Sequence, residues 1–356
     1  MSAARSADDE WSRPATRATV SRRGMLLATA GGAVGAAATL AVEGPAAASP
    51  GPAGARSVRE YWLSVESFWH NAVPNGRDAM MGTTYQPGQT SFWALGYRAY
   101  TPGWGRPLPG DDALGSNTGI PGPTIRAQVG DTVVIHLRNN DSHYRFPHSL
   151  HSHGLRYHPD SDGAYIAAQP HQPGTAIPYR GTYTYTYTAT PTSVGTWPYH
   201  DHSIPQALTP NGDPIMEVGA ELGLLGVVAV TDPHTPRVDR EFVLAFHDLY
   251  ASDIPTITQD IDLFNGYAFL DNTPTFSARV GDRVRWRVIA LGKEFHVFHL
   301  HGHRWSDGTR FVDSQILGPS TSLTIEYTED TPGDWLYHCH VTDHMAGGMV
   351  GRYHVT

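Results

Sequence analysis

The chain has 356 residues, a formal net charge of −9, only 17% charged residues, 37 glycines and 27 prolines. That length allows two domains of ordinary size. The acidic balance argues against nucleic acid or an anionic membrane surface as partner, and the turn-rich composition fits an all-β protein better than a helical bundle.

In chain order, Ser21-Arg-Arg-Gly-Met-Leu26 reads as a twin-arginine export signal. The apolar run 25–42 follows, and then Pro45-Ala-Ala-Ala-Ser49, where Ala46 and Ala48 suit signal cleavage. Residues 1–48 are therefore expected to be a removed signal and the mature protein to be secreted or otherwise extracytoplasmic. No later stretch is long and apolar enough to span a bilayer, so no membrane association is expected after signal removal. Residues 49–118 show little periodicity and are expected to form an extension packing on the first domain. Strands are predicted over 132–137, 182–188 (a Tyr/Thr ladder) and 224–230. Asp232-Pro-His-Thr-Pro236 is the expected linker, which gives a first domain at 119–232 and a second at 233–356. In the second, strands are predicted over 242–246, 283–290, 322–327, 334–340 and 349–355. Short strands at regular spacing without a long amphipathic helix point to β-sandwiches.

An internal repeat supports two copies of one domain. Ala127-Gln-Val-Gly-Asp131 recurs as Ala278-Arg-Val-Gly-Asp282, and His148-Ser-Leu-His-Ser-His-Gly154 as His296-Val-Phe-His-Leu-His-Gly302. Gly195-Thr-Trp-Pro-Tyr-His-Asp-His202 recurs as Gly333-Asp-Trp-Leu-Tyr-His-Cys-His340.

These blocks carry four His-x-His pairs: His151/His153, His200/His202, His299/His301 and His338/His340. Any one pair alone is unremarkable, but four in duplicated blocks read as a cluster of several metal ions. The last block adds the single cysteine of the chain, Cys339, with His344 five residues on and Met349 ten residues on. One cysteine excludes an intrachain disulfide. With a further histidine, this thiolate, imidazole and thioether form the His2Cys set with weak axial Met that suits electron-transfer copper. Side chains alternate along a strand, so His338 and His340 point away from Cys339 and towards a second metal site, and one tripeptide joins two centres.

From about residue 120 onwards the sequence resembles the two-domain multicopper oxidases of the small laccase type. That resemblance implies two cupredoxin-like Greek-key β-sandwiches and four coppers. His296, Cys339, His344 and axial Met349 match the type 1 copper. His151 and His299 match the type 2 copper, and His153, His200, His202, His301, His338 and His340 the type 3 pair. It further implies one-electron oxidation of phenols or aromatic amines, reduction of dioxygen to water, and redox and proton-relay roles for Tyr157 and Asp162. Homotrimers are implied as well, with each trinuclear cluster between a first domain and a second domain; a monomer assembling its own cluster is the alternative.

The first repeat departs from the pattern. Asp201 takes the place of Cys339, and Gln206 and Asn211 those of His344 and Met349. No thiolate centre is expected there, and His148 is read as a buried, non-ligating histidine. The remaining histidines, His303 and His247 among them, are read as ordinary. Among competing activities, a cuprous-ion oxidase is weakened by the scattered methionines. A copper nitrite reductase is weakened by His340 and by the cysteine lying in the second repeat, and a copper-storage cupredoxin leaves eight histidines unexplained.

Overall fold

The computed structural model describes residues 57–110 and 119–356; the expected export signal lies outside them. The first half supplies strands β1 Val58–Asn71, β2 Ser91–Tyr100, β3 Ile125–Gln128, β4 Thr132–Asn140, β5 His151–Ser152, β6 Thr182–Thr188, β7 Gly195–His200 and β8 Leu225–Thr231. The second half supplies β9 Arg240–Leu249, β10 Ile261–Phe264, β11 Thr275–Ala278, β12 Arg283–Leu291, β13 His296–Leu300, β14 Trp305–Ser306, β15 Phe311–Val312, β16 Ser314–Leu317, β17 Thr321–Thr328, β18 Gly333–Cys339 and β19 Val350–Val355. The described α-helices are single turns or little more, Pro87–Thr90, Val218–Glu221 and Thr342–Gly347. The fold is all-β and cupredoxin-like.

Four sheets stack in the order set by their buried faces. The first has strand order β2-β1-β4-β6 and the second β3-β8-β7-β5. The core between them includes Leu63, Val65, Val133, Ile135, Tyr185, Tyr187, Val228 and Val230. The third sheet, β10-β9-β12-β17, packs on the fourth, β11-β19-β18-β13-β16, through Phe242, Leu244, Trp286, Val288, Phe298, Tyr337 and Cys339. Alternation along three strands makes the junction between the two sandwiches. Leu225, Val227 and Ala229 of β8 leave the first core to meet Val243 and Ala245 of β9 and Ile289 and Leu291 of β12. The strand expected over 224–230 is thus apolar and buried on both faces. Arg287, also buried, adds a polar tie across the same junction, donating to Glu241 at 2.9 Å and to Thr196 of β7 at 3.1 Å.

Within the stretch expected as an extension on the first domain, Val58–Asn71 and Ser91–Tyr100 are strands of its outer sheet. β1 lies between β2, antiparallel, and β4, parallel. Its period of two is masked because both faces carry aromatics. Leu63 and Val65 enter the core, while Trp62 on the outer face stacks on His136 at 4.0 Å and meets Trp104 edge-on at 4.7 Å.

The repeat is also visible in how each His-x-His block is closed. Gly154 and Gly302 sit at φ +74° and +73°, and a β-carbon on either would fall 2.2 Å from the Trp197 ring or 2.6 Å from the Trp335 ring. Only glycine combines that backbone with so close an approach. Gly154→Ala and Gly302→Ala should each lower the unfolding free energy of the metal-free protein by more than about 1 kcal/mol, read from denaturant titrations; unchanged midpoints would contradict this packing.

Candidate functional site

The repeated blocks produce the same local geometry twice. In the first sandwich β5 pairs with β7 so that His151 lies opposite His200; in the second, β13 pairs with β18 so that His299 lies opposite His338. The second histidine of each leading pair is pinned by its backbone, His153 N–H to the Pro198 carbonyl at 3.0 Å and His301 N–H to the Leu336 carbonyl at 2.9 Å. The outcome is two clusters, His151–His153–His200 and His299–His301–His338, each with its donor atoms within 4.8 Å of one another. His202 and His340 complete two quartets. Their rings stand 5.5 Å from His151 and 5.2 Å from His299 respectively.

Hydrogen bonds select which ring nitrogen faces inward. His151 Nδ1 donates to the Asp162 carbonyl and His299 Nδ1 to the Asp313 carbonyl, both at 2.7 Å. His200 Nδ1 and His338 Nδ1 donate to the carbonyls of the next residues, Asp201 and Cys339, at 3.1 and 2.8 Å. The Nε2 atoms are left as lone-pair donors, as in metal-binding histidines oriented by outer partners. His153 Nε2 and His200 Nε2 stand 3.2 Å apart, and His301 Nε2 and His338 Nε2 3.1 Å apart. Such separations suit two nitrogens each about 2 Å from a shared ion. Burial, and then the neighbouring imidazoles, hold His153 and His338 down at about 4 and His200 at about 3, so these rings are neutral and free to ligate near neutral pH.

A third cluster lies inside the second sandwich. Cys339 Sγ is 3.9 Å from His296 Nδ1 and 3.8 Å from His344 Nδ1, and the two nitrogens are 3.1 Å apart. The thiol is fully buried, with Phe298 and Met349 in the same core cluster. Cys339 N–H donates to the Met349 carbonyl, and Met349 N–H to that of His344, each at 3.0 Å. The short helix Thr342–Gly347 thus returns His344 and Met349 to the cysteine. Thiolate, two imidazoles and a thioether form the donor set that fits copper.

The first repeat is closed differently. His148 is buried completely, with Nδ1 2.9 Å from Asp201 Oδ2 and Nε2 3.3 Å from Asp141 Oδ2. Burial lowers its pKa, but the two carboxylates outweigh that and push it up to about 9. Asp201 Oδ1 also accepts from Ser149 N–H at 2.7 Å. An imidazolium between two carboxylates occupies the place that His296 and Cys339 hold in the second repeat.

Tyr157 and Asp162 both lie at His151. The Asp162 carboxylate is 3.4 Å from His151 Nδ1, and the Tyr157 ring is 6.1 Å from the His151 ring. Burial and then Asp162 push the Tyr157 hydroxyl up to about 12. Three further groups carried no sequence signal. Glu217, on left-handed backbone at φ 57°, places its oxygens 3.4 Å from His202 Nε2 and 3.6 Å from His200 Nδ1. Asp248, 1% exposed, stands 3.4 Å from His296 Nε2; burial lowers the His296 pKa, but Asp248 and the Cys339 sulfur raise it to about 9. His303, read as ordinary, is buried against Glu329 at 2.9 Å and donates Nδ1–H to the carbonyl of His301 at 2.6 Å. Glu217 and Asp248 depend on tertiary approach that no local spacing announces, whereas His303 follows His301 by two residues and only its contact with Glu329 is tertiary.

The quartets do not meet. The first stands on the second sheet and the second on the fourth, with the third sheet between. Stacked sheets pack about 10 Å apart, so the quartets are on the order of 20 Å from each other. Among the described residues no ring contact or hydrogen bond joins one quartet to the other.

Sequence models described as multicopper oxidase match residues 105–213 and 246–356. A probable nitrite reductase-hydroxylamine oxidoreductase fusion protein of Kuenenia stuttgartiensis is 31% identical over 268 residues, which cover 71% of this chain and 29% of that one. The human ferroxidase HEPHL1 is 30% identical over 350 residues, covering 83% of this chain and 29% of the relative. The chain thus spans under a third of either relative's length. A solved multicopper oxidase structure superposes with a TM-score of 0.61 at 22% identity, covering 84% of this chain and 89% of that one, a likeness of fold.

His148→Gln should leave the bound copper per chain unchanged by elemental analysis, while breaking the buried ion pair lowers the stability of the metal-free protein by about 3–5 kcal/mol. Because folding raises the His148 pKa from 6.5 to about 9, that contribution is fully present below about pH 6.5. It is lost as pH rises through about 9. Loss of a copper in the variant would contradict the assignment.

Proposed function

The chain belongs to the multicopper oxidases, and on that premise we infer that it is an exported, laccase-like oxidase that takes single electrons from small aromatic reductants and reduces dioxygen to water. The observation that carries this reading is the pairing of one buried thiolate centre with two histidine quartets. His296, Cys339, His344 and axial Met349 would hold a type 1 copper. His151 and His299 would hold a type 2 copper, and His153, His200, His202, His301, His338 and His340 a type 3 pair, four ions in all. Copper bound at these positions would supply one-electron exchange at the thiolate and multi-electron reduction of dioxygen among the histidines. The donor sets fit that metal.

The chain's own residues account for the rest. Cys339 is one peptide link from His338 and from His340, so the path from thiolate to quartet consists of covalent bonds of β18 and the residue after it. Asp313 and Asp162 lend carbonyls that fix His299 and His151 as Nε2 donors. Asp162 and Tyr157, both against His151, are placed to pass a proton and an electron to that quartet, and burial of Cys339 excludes water from the thiolate.

Two quartets about two sheet layers apart favour a cluster shared between chains over one closed within a single chain. The reading is therefore a head-to-tail ring, a homotrimer, in which the first sandwich of one chain faces the second of the next. Twin-arginine export and a secreted location belong to the same proposal. A cuprous-ion or ferrous-ion oxidase is the second reading, favoured by the ferroxidase among the relatives, and nitrite reduction is a third that the Kuenenia relative raises.

Elemental analysis should give four coppers per chain with an intense blue thiolate band, and sizing of the metal-replete protein a mass of three chains. Cys339→Ser should remove the band and cut oxygen uptake by more than about a hundredfold, since even supporting partners of metal ligands cost about 10–100-fold. A colourless, metal-replete protein, or a mass of one chain, would sink the respective parts. Oxygen uptake with a phenol, compared with nitrite and with cuprous ion, separates the three activities.

A further inference from the structure

Two hydrogen bonds fix the main chain of His301. Its N–H donates to the Leu336 carbonyl at 2.9 Å, and its own carbonyl accepts Nδ1–H of His303 at 2.6 Å. The far nitrogen of His303, Nε2, is 2.9 Å from Glu329 Oε1, and both side chains are buried. The rings of Tyr327, Trp335 and Tyr353 stand 5.2, 5.5 and 5.5 Å from that imidazole and box it in. The imidazole is thus held with a carboxylate behind it and the His301 carbonyl in front.

The first repeat builds the same turn without this pair. Counting on from the duplicated blocks, Leu155 takes the place of His303. Ala189 takes that of Glu329. It donates its N–H to the Asp131 carbonyl and accepts from Gly130 N–H, as Glu329 does with Asp282 and Gly281. Leu155 and Ala189 belong to the first hydrophobic core. His153 N–H keeps its cross-strand bond, to the Pro198 carbonyl at 3.0 Å. Among the described residues its carbonyl is met by the Ser152 hydroxyl alone, at 3.3 Å.

Packing does not call for the polar pair. Replacing a buried ion pair by apolar residues of similar volume is often neutral or stabilising, and Leu155 with Ala189 shows that this turn closes on apolar side chains. What His303 adds is a donor. With N–H and C=O both held, His301 has its side-chain torsions left to set, and a ligand already in place binds at a lower entropic cost. Its ring is partly exposed, with Nε2 3.1 Å from His338 Nε2.

We propose that His303 and Glu329 are positioning residues for the second quartet, clamping the His301 main chain so that its imidazole is held ready for a metal ion. The purpose of the clamp rests on the oxidase reading; the clamp itself does not.

His303→Leu and His303→Asn, each made on a Glu329→Gln background, leave no buried carboxylate unpaired. The leucine removes the donor, and the asparagine amide returns an N–H where Nδ1 stood. In the metal-free chain, exchange of the His301 amide should speed up about tenfold with leucine and return to within about threefold with asparagine. In the copper-loaded protein, competition by EDTA should show the histidine-bound ions held about 10–100-fold more weakly with leucine, recovered by asparagine, while the blue band of Cys339 keeps its intensity. One measurement needs no variant to fold: in the unaltered metal-free protein the His301 amide should exchange about tenfold more slowly than that of His153. Exchange and copper retention unmoved by leucine, an asparagine variant as loose as the leucine one, or equal exchange at His301 and His153 overturns the positioning role. A protein that takes copper at Cys339 alone overturns the oxidase reading, and amide exchange still decides for or against the clamp.

Discussion

The width of a β-sheet is the constraint on which the architecture turns. Four sheets lie face to face, the second and fourth each carry a quartet of histidines, and the third separates them. Its strands β9 and β12 turn one face to the core of the second sandwich and the other to the junction with the first, where Val243, Ala245, Ile289 and Leu291 pack beside the buried Arg287. No adjustment of rotamers bridges a layer of packed side chains. Within the single chain the eight imidazoles therefore stand as two separate quartets, with His153, His202 and His301 each partly exposed.

Alternation along β18 is the second determinant. Tyr337 and Cys339 enter the core while His338 reaches the second quartet, so a single strand serves two chemistries on its two faces. The dry side holds the soft sulfur, where water and stray oxidants are excluded. The other side holds His338, kept neutral by burial and with its tautomer set by the carbonyl of Cys339. Neither environment would suit the other's ligands, and the peptide bonds between residues 338 and 340 keep them in fixed register.

Much of this was legible in the chain. Strands over 182–188 and 283–290 emerged because their period of two is clean, and the metal clusters because the three duplicated blocks fix ligands at offsets that a strand converts into facing pairs. The first strands were hidden: Trp62, stacked on His136, gives β1 aromatics on its outer face as well as its inner one, which erases the alternation. The carboxylates behind the ligands were hidden for another reason. Glu217 and Asp248 reach their histidines across the fold, one from a left-handed turn and the other from a strand of the neighbouring sheet, and neither position is written in local spacing. His148 could be read as a non-ligand because its cysteine partner is missing, but that two aspartates hold it as a cation needed the tertiary structure.

That triad bears on how the molecule comes of age. A cupredoxin half whose metal stitches several loops together depends on copper supply for its final rigidity. The half built around Asp141, His148 and Asp201 makes the same stitch from carbon, nitrogen and oxygen alone. Its closure needs no ion, since Asp201, held by His148 and Ser149, sits between His200 and His202. The two halves thus differ in what fastens them, the first relying on its own side chains where the second offers a thiolate, imidazole and thioether donor set.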